Sequence, residues 1–454
     1  MRGTLAQLVA AIPGATLVGA DVAFDGVSTD SRKVEGGALF VALRGETFDA
    51  HDFLDQVVAR GVAAVVVSTL PQGWTLPAIV VPDTLVALGR IAHAWRAGFP
   101  IPLIGVTGSN GKTTVKEMIA SILAAAVGED ARLATQGNLN NEIGVPLTLF
   151  RLGDRHRAAV VELGMNHPGE IGRLAAIATP TVGLVNNAQR EHQEFMHTVE
   201  AVARENGSVL QALSADGVAV FPGDDTYTAL WRALASCEVI TFGLTDACDV
   251  RATYTGNGFG STLQVTARGA QFGIELAAAG EHNVRNALAA IACALGAGID
   301  QAAIVRGLEA FVPVGGRLQR KQADNGATVI DDTYNANPDS MRAAIDVLAA
   351  YPAPRILVVG DMGEVGTQGK EFHEEIGAYA RERGIETVLA TGELARALSA
   401  SGAQHYEQFD ELLAALDEKL GGNTNATVLV KGSRFMKMER VVSHLTGSTN
   451  KDAH

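Results

Sequence analysis

The stretch Ile104-Gly105-Val106-Thr107-Gly108-Ser109-Asn110-Gly111-Lys112-Thr113-Thr114 constrains this chain more than any other. Apolar residues at 103–106 read as a strand entering it. Apolar residues at helical spacing over 113–126 read as a helix leaving it. That is the setting of a phosphate loop. Gly108 and Gly111 let backbone N–H groups turn toward an anion, and the helix N-terminus adds partial positive charge. Lys112 would neutralise the outer phosphates, and the Thr113 hydroxyl would ligate Mg²⁺. The strict G-x-x-x-x-G-K-[ST] spacing is not met, because Val106 stands where its first glycine belongs. A glycine-rich turn that merely caps a helix is the bland reading of the same residues.

The rest of the chain supplies a sheet for such a loop. Residues 158–163 and 182–185 read as further strands, with a helix at 170–178 between them. Strand–helix–strand alternation argues for a parallel sheet covered on both faces. A β-alternating stretch at 261–275 interrupts it, and a helix at 282–296 follows. Before the loop, short helices at 5–12 and 51–61 mix with β-rich runs at 39–43, 63–68 and 78–81. A helix at 84–97 then leads to Phe99-Pro100-Ile101-Pro102, whose prolines mark a boundary. Beyond 313 the alternation resumes, with strands at 328–332, 355–359, 387–390 and 427–430 and helices at 340–350, 371–383, 411–420 and 436–445. This last part reads as an open, mostly parallel sheet without the usual G-x-G-x-x-G. The expectation is an α/β protein of three domains. Residues 1–82 form a small α/β N-terminal domain. Residues 83–313 form a central phosphate-loop sheet for a mononucleotide. Residues 314–454 form a C-terminal Rossmann-like sheet.

Composition narrows the function. With 454 residues, two to four domains are expected. A net charge of −14, no basic cluster and only 5% aromatics argue against a nucleic-acid partner. The acidity does not exclude nucleotides, whose phosphates are held by backbone N–H groups, one lysine and a metal. The three cysteines, Cys237, Cys248 and Cys293, have no C-x-x-C spacing, which suits a reducing, cytoplasmic compartment. No signal peptide is read over 1–20, and no apolar run is long enough for membrane insertion.

Two residues suit a metal beside the loop. Glu162 ends the strand at 158–163, where α/β sheets place ligand groups. His192 follows the strand at 182–185, near Asn186 and Asn187. Both side chains can coordinate Mg²⁺, although imidazole is the softer choice.

The letters Thr107–Thr114 resemble the Mur ligase superfamily, whose members activate a carboxylate with ATP and join it to an amine. Further blocks extend the likeness. Asn138-Leu139-Asn140-Asn141-Glu142-Ile143-Gly144-Val145-Pro146 is similar to the second signature block. Val161-Glu162-Leu163-Gly164-Met165-Asn166-His167 is similar to the block supplying a metal carboxylate. Gly280-Glu281-His282-Asn283 resembles the adenine-binding block, and Gly316-Arg317 the γ-phosphate arginine. Asp331-Asp332-Thr333-Tyr334-Asn335-Ala336-Asn337-Pro338, with Lys431-Gly432-Ser433-Arg434, resembles the branch that adds D-Ala-D-Ala to a UDP-MurNAc-tripeptide. Ser28-Thr29-Asp30-Ser31-Arg32 resembles its uridine-nucleotide domain.

The resemblance implies a ligase working through an acyl phosphate, with ATP and Mg²⁺, and a monomer. It implies catalytic roles for Lys112, Glu162, His192 and Arg317, and metal ligation by Thr113, Glu162 and His192. ATP would meet Thr107, Gly108, Ser109, Asn110, Gly111, Lys112, Thr113, Thr114, Asn283, Arg317 and Asp332. The other substrates would meet Ser31, Arg32, Asn140, Asn141, Tyr334, Asn335 and Asn337. In one place the chain departs from the family. Where relatives carry a carbamylated lysine after the metal histidine, it has Arg204 and Asn206. A sister ligase adding a diamino acid and a module that has lost catalysis remain as alternatives. A guanine-selecting Asn-Lys-x-Asp, which a GTPase switch would need, is absent.

Overall fold

The computed structural model describes residues 1–447 apart from 46, 192 and 257. Three large sheets carry the chain. The first has five strands in the order Thr16–Val18, Ala78–Val80, Ala64–Val67, Leu39–Val41, Val27–Ser28, parallel except at its first pair. The third has six strands, parallel except for the antiparallel edge strand Gln319–Gln322.

The nine-stranded central sheet positions the site. Its middle strand, Leu103–Thr107, lies between Ala158–Glu162 and Val182–Val185, parallel to both. All three are buried on both faces, so they read as continuous apolar runs rather than alternating ones. Helices Lys112–Val127 and Glu281–Gly296 cover one face, packing Met118, Ile119, Leu288 and Ile291 against Ile104 and Leu184. Helices Glu170–Ala178 and Val199–Gln211 cover the other. Ligand groups collect beyond the carboxyl ends of the strands, the usual place in such a sheet.

Some expectations are corrected. The stretch at 261–275 is a hairpin, Ser261–Ala267 and Ala270–Leu276, turning at Arg268 (φ 48°) and Gly269 (φ 80°). It prolongs the central sheet through Val250–Gly256 instead of interrupting it. Two left-handed residues match the twist of the flanking strands. Strands Val218–Pro222 and Glu238–Gly243 and helix Val199–Gln211 were not expected. The last helix begins only at Glu439, because Lys437 (φ 51°) breaks the chain from the turn Arg434–Met436.

Candidate active site

Strand Leu103–Thr107 is wholly buried, so the chain must turn sharply as it leaves the sheet. Gly108 (φ 136°) and Gly111 (φ 80°) make that turn. A Cβ on Gly111 would fall 2.5 Å from Asn286 Oδ1, and one on Gly108 2.9 Å from Asn186 Cβ. Both positions therefore exclude any larger residue on conformational and steric grounds. Helix Lys112–Val127 starts directly after Gly111, with its free N–H groups facing the loop.

Asparagines hold the loop from behind. Asn186 Nδ2 donates to Asn110 O (2.8 Å) and to Asn286 Oδ1 (2.9 Å). Asn286 Nδ2 donates to Asn283 Oδ1 (3.1 Å), and Asn283 Nδ2 to Ala279 O (2.8 Å). Thr107 Oγ1 donates to Asn206 Oδ1 (2.6 Å), with Asn206 fully buried. Asn206 thus supports the loop from the helix Val199–Gln211, whereas Arg204 is exposed and paired with Glu200. The sheet end Val182–Val185 followed by two asparagines was the sequence signal for this scaffold.

The Lys112 ammonium lies over the loop, on Gly108 O (2.6 Å), Ser109 O (3.1 Å) and Glu191 Oε1 (2.7 Å). Glu191 was not singled out from the sequence. Glu162 is buried at the end of its strand. Its Oε1 accepts from Asn140 Nδ2 (2.9 Å), while its buried Oε2 has no hydrogen-bond partner among the described residues. Asn141 caps the following turn through Gly144 N (2.9 Å). His192 lies outside the described residues.

The C-terminal unit forms the facing wall. Arg317 lies 4.1 Å from the centre of the Tyr334 ring, and Arg434 5.9 Å from it, so the ring carries guanidinium groups from two segments. Asp332 Oδ2 accepts from the buried Lys431 (2.6 Å) and Oδ1 from Leu318 N (3.1 Å). Lys431 also donates to Asn335 O (2.8 Å). Asn337 caps helix Pro338–Ala349 through Ser340 N and donates to Asn110 Oδ1 (2.8 Å), so the two walls touch at the loop.

One cleft of about 1180 Å³ is lined by residues 109–114 of the loop, by Asn140, Asn141 and Glu162, and by Asn283, Arg317, Asp332, Tyr334, Asn335 and Asn337. Thr107 and Gly108 do not line it. Ser31 and Arg32 are not brought into the cleft. They sit on a turn of the five-stranded unit, where Arg32 pairs with Asp30 (2.9 Å) and holds that carboxyl down at about 2. The electrostatics of the cleft are those of a paired site, with each described cation placed against a carboxylate, a carbonyl or a ring.

Known proteins resemble this chain along its whole length. The family model for the Mur ligase family catalytic domain matches residues 23–96, that for the Mur ligase middle domain 106–294, and that for the Mur ligase glutamate ligase domain 316–434. The UDP-N-acetylmuramoyl-tripeptide–D-alanyl-D-alanine ligase of Escherichia coli K12 is 39% identical, the match covering 97% of this chain and 98% of that one. A crystal structure of MurF from Acinetobacter baumannii superposes with a TM-score of 0.93 at 35% identity, over 99% of both chains. MurF ligase from Thermotoga maritima, crystallised in complex with ADP, superposes at 0.84 with 26% identity, covering 92% of this chain and 96% of that one.

Proposed function

The chain belongs to the Mur ligase family, and on that premise we propose that it is an ATP-dependent ligase joining D-alanyl-D-alanine to UDP-N-acetylmuramoyl-tripeptide in peptidoglycan precursor synthesis. One observation carries the reading. A phosphate loop with its lysine and a buried carboxylate occupies one wall of a cleft, and Arg317 faces it from the other.

The reaction asks a carboxylate to approach the γ-phosphate, so two anions must be brought together. Lys112 answers by exchanging Glu191 for phosphate oxygens, and Arg317 adds charge from the facing wall. The N–H groups that open helix Lys112–Val127 hold the phosphates, while those of Ser109 and Asn110 are bonded to Asn187 and fix the loop's shape. Mg²⁺ would suit the hard oxygens of Thr113 and of Glu162, whose buried Oε2 has no hydrogen-bond partner among the described residues, and it would neutralise charge on the phosphate oxygens. Transfer of the γ-phosphoryl group gives an acyl phosphate and ADP. The amine of the dipeptide attacks the acyl carbon, phosphate departs, and the amide bond remains. An acyl phosphate hydrolyses in water, so contact between the two walls at Asn110 and Asn337 protects it.

Residues 1–82 take the uridine nucleotide, 83–313 the ATP and 314–454 the dipeptide. Each range holds one of the large sheets, which supports that division. Cys237, Cys248 and Cys293 are unpaired, which suits the cytoplasm. No helix of the described residues is long and apolar enough to cross a membrane.

Phosphate release tests the reading. It should require ATP, the UDP-tripeptide and D-Ala-D-Ala together. Equal release when either acceptor or dipeptide is omitted, or with a diamino acid and UDP-dipeptide instead, overturns it.

A further inference from the structure

The short segment 187–191 touches the phosphate loop with one set of side chains and the C-terminal unit with another. Toward the loop, Asn187 Oδ1 accepts from Asn110 N (2.9 Å) and Gln189 Oε1 from Asn110 Nδ2 (2.6 Å). Gln189 N donates to Ser109 Oγ (2.9 Å), and Glu191 holds Lys112. Between Gln189 and Glu191, Arg190 points the other way. Its guanidinium donates to Asp339 Oδ1 (2.7 Å) and to Glu375 Oε2 (2.7 Å), and its backbone N–H to Asp339 Oδ2 (2.8 Å). Its Cζ also lies 5.3 Å from the centre of the Phe372 ring.

A single side chain thus joins two carboxylates on different helices, Pro338–Ala349 and Gly369–Glu382, and both belong to the six-stranded unit. Burial opposes the charge on Arg190, but the hydrogen bonds to Glu375 and Asp339 outweigh it and raise its pKa. The planar fork of arginine suits this double pairing, which one ammonium cannot reproduce.

We propose that Arg190 is a positioning residue for the ligation, docking the C-terminal unit onto the phosphate loop through Asp339 and Glu375. This rests on the function proposed above. An occupied loop draws Lys112 away from Glu191, the immediate neighbour of Arg190, so nucleotide occupancy and docking share one short segment. Any coupling between them is reciprocal: what helps docking by a given factor helps nucleotide binding by the same factor.

The test uses Arg190→Gln and Arg190→Lys in the full chain. Small-angle scattering without nucleotide should give a larger radius of gyration for Arg190→Gln than for the parent. The KM for D-Ala-D-Ala should rise about tenfold, within the usual range of such couplings, while KM for the UDP-tripeptide holds and kcat falls far less. Arg190→Lys should lie between. An unchanged radius and an unchanged KM for the dipeptide overturn the proposal, as does an equal rise in every KM. The scattering result stands whatever the chain ligates, so failure of the latch is separable from failure of the ligase reading.

Discussion

Lys112 supplies the phosphate loop's own positive charge to the proposed chemistry, and its present partners show how it is kept. It rests on two loop carbonyls and one carboxylate, a set a triphosphate can replace. Lys112→Ala should lower kcat by at least about 10²–10³-fold, while the chain still melts as a folded protein, at a somewhat lower temperature because the buried Glu191 loses its lysine. Steady-state kinetics and thermal melting check this together. The loop was legible in the sequence because strand, glycines, lysine and helix are consecutive. The partners of Arg190 were not, since Asp339 and Glu375 stand 149 and 185 positions away in the chain. For the same reason Asp332 read as a nucleotide contact, while its lock on Lys431, 99 positions away, could not be foreseen.

Elements in the central sheet were visible in proportion to their surroundings. Strands beside the loop announced themselves by unbroken apolar runs between helices. Val218–Pro222 is as apolar and as buried but was passed over, and its parallel neighbour Glu238–Gly243 carries Glu238 and Thr241 among its apolar residues. The hairpin at 261–276 merged into one alternating stretch because Arg268, the first left-handed residue of its turn, is not a usual turn residue. Helix Pro338–Ala349 is capped by Asn337, which at the same time reaches the phosphate loop. The two jobs can be separated. Asn337→Ala should cost about 1 kcal/mol of stability through the lost cap. Asn337→Asp should keep the cap but put a second acceptor against Asn110 Oδ1, raising KM for the dipeptide without lowering the melting temperature.

At the scale of the molecule, the central and C-terminal units meet through charged groups that titrate. The hydrogen bond from Arg190 holds the Glu375 pKa below its ordinary 4.5, against the opposing effect of burial. Docking therefore favours the carboxylate form. It is complete above the ordinary value and weakens as the pH falls through the lower docked one, with Asp339 and Arg342 as the other charged groups facing Glu375. Scattering measured from about pH 6 down to about pH 3 should show the chain expanding only in the acid range. Expansion on raising the pH instead would contradict that sign. The three-part order of the chain was readable from its alternation and its proline boundary, but the way the parts meet was not, because it is made of single side chains far apart in the chain, Arg190 on a loop and Asp339 and Glu375 on two helices.

The central claim is that a carboxylate is phosphorylated in this cleft before the amide forms. It is tested most directly by labelling the terminal carboxylate of the UDP-tripeptide with a heavy oxygen isotope and weighing the phosphate released during ligation. Phosphate carrying one labelled oxygen is the predicted result; phosphate without label, formed alongside amide product, would contradict it.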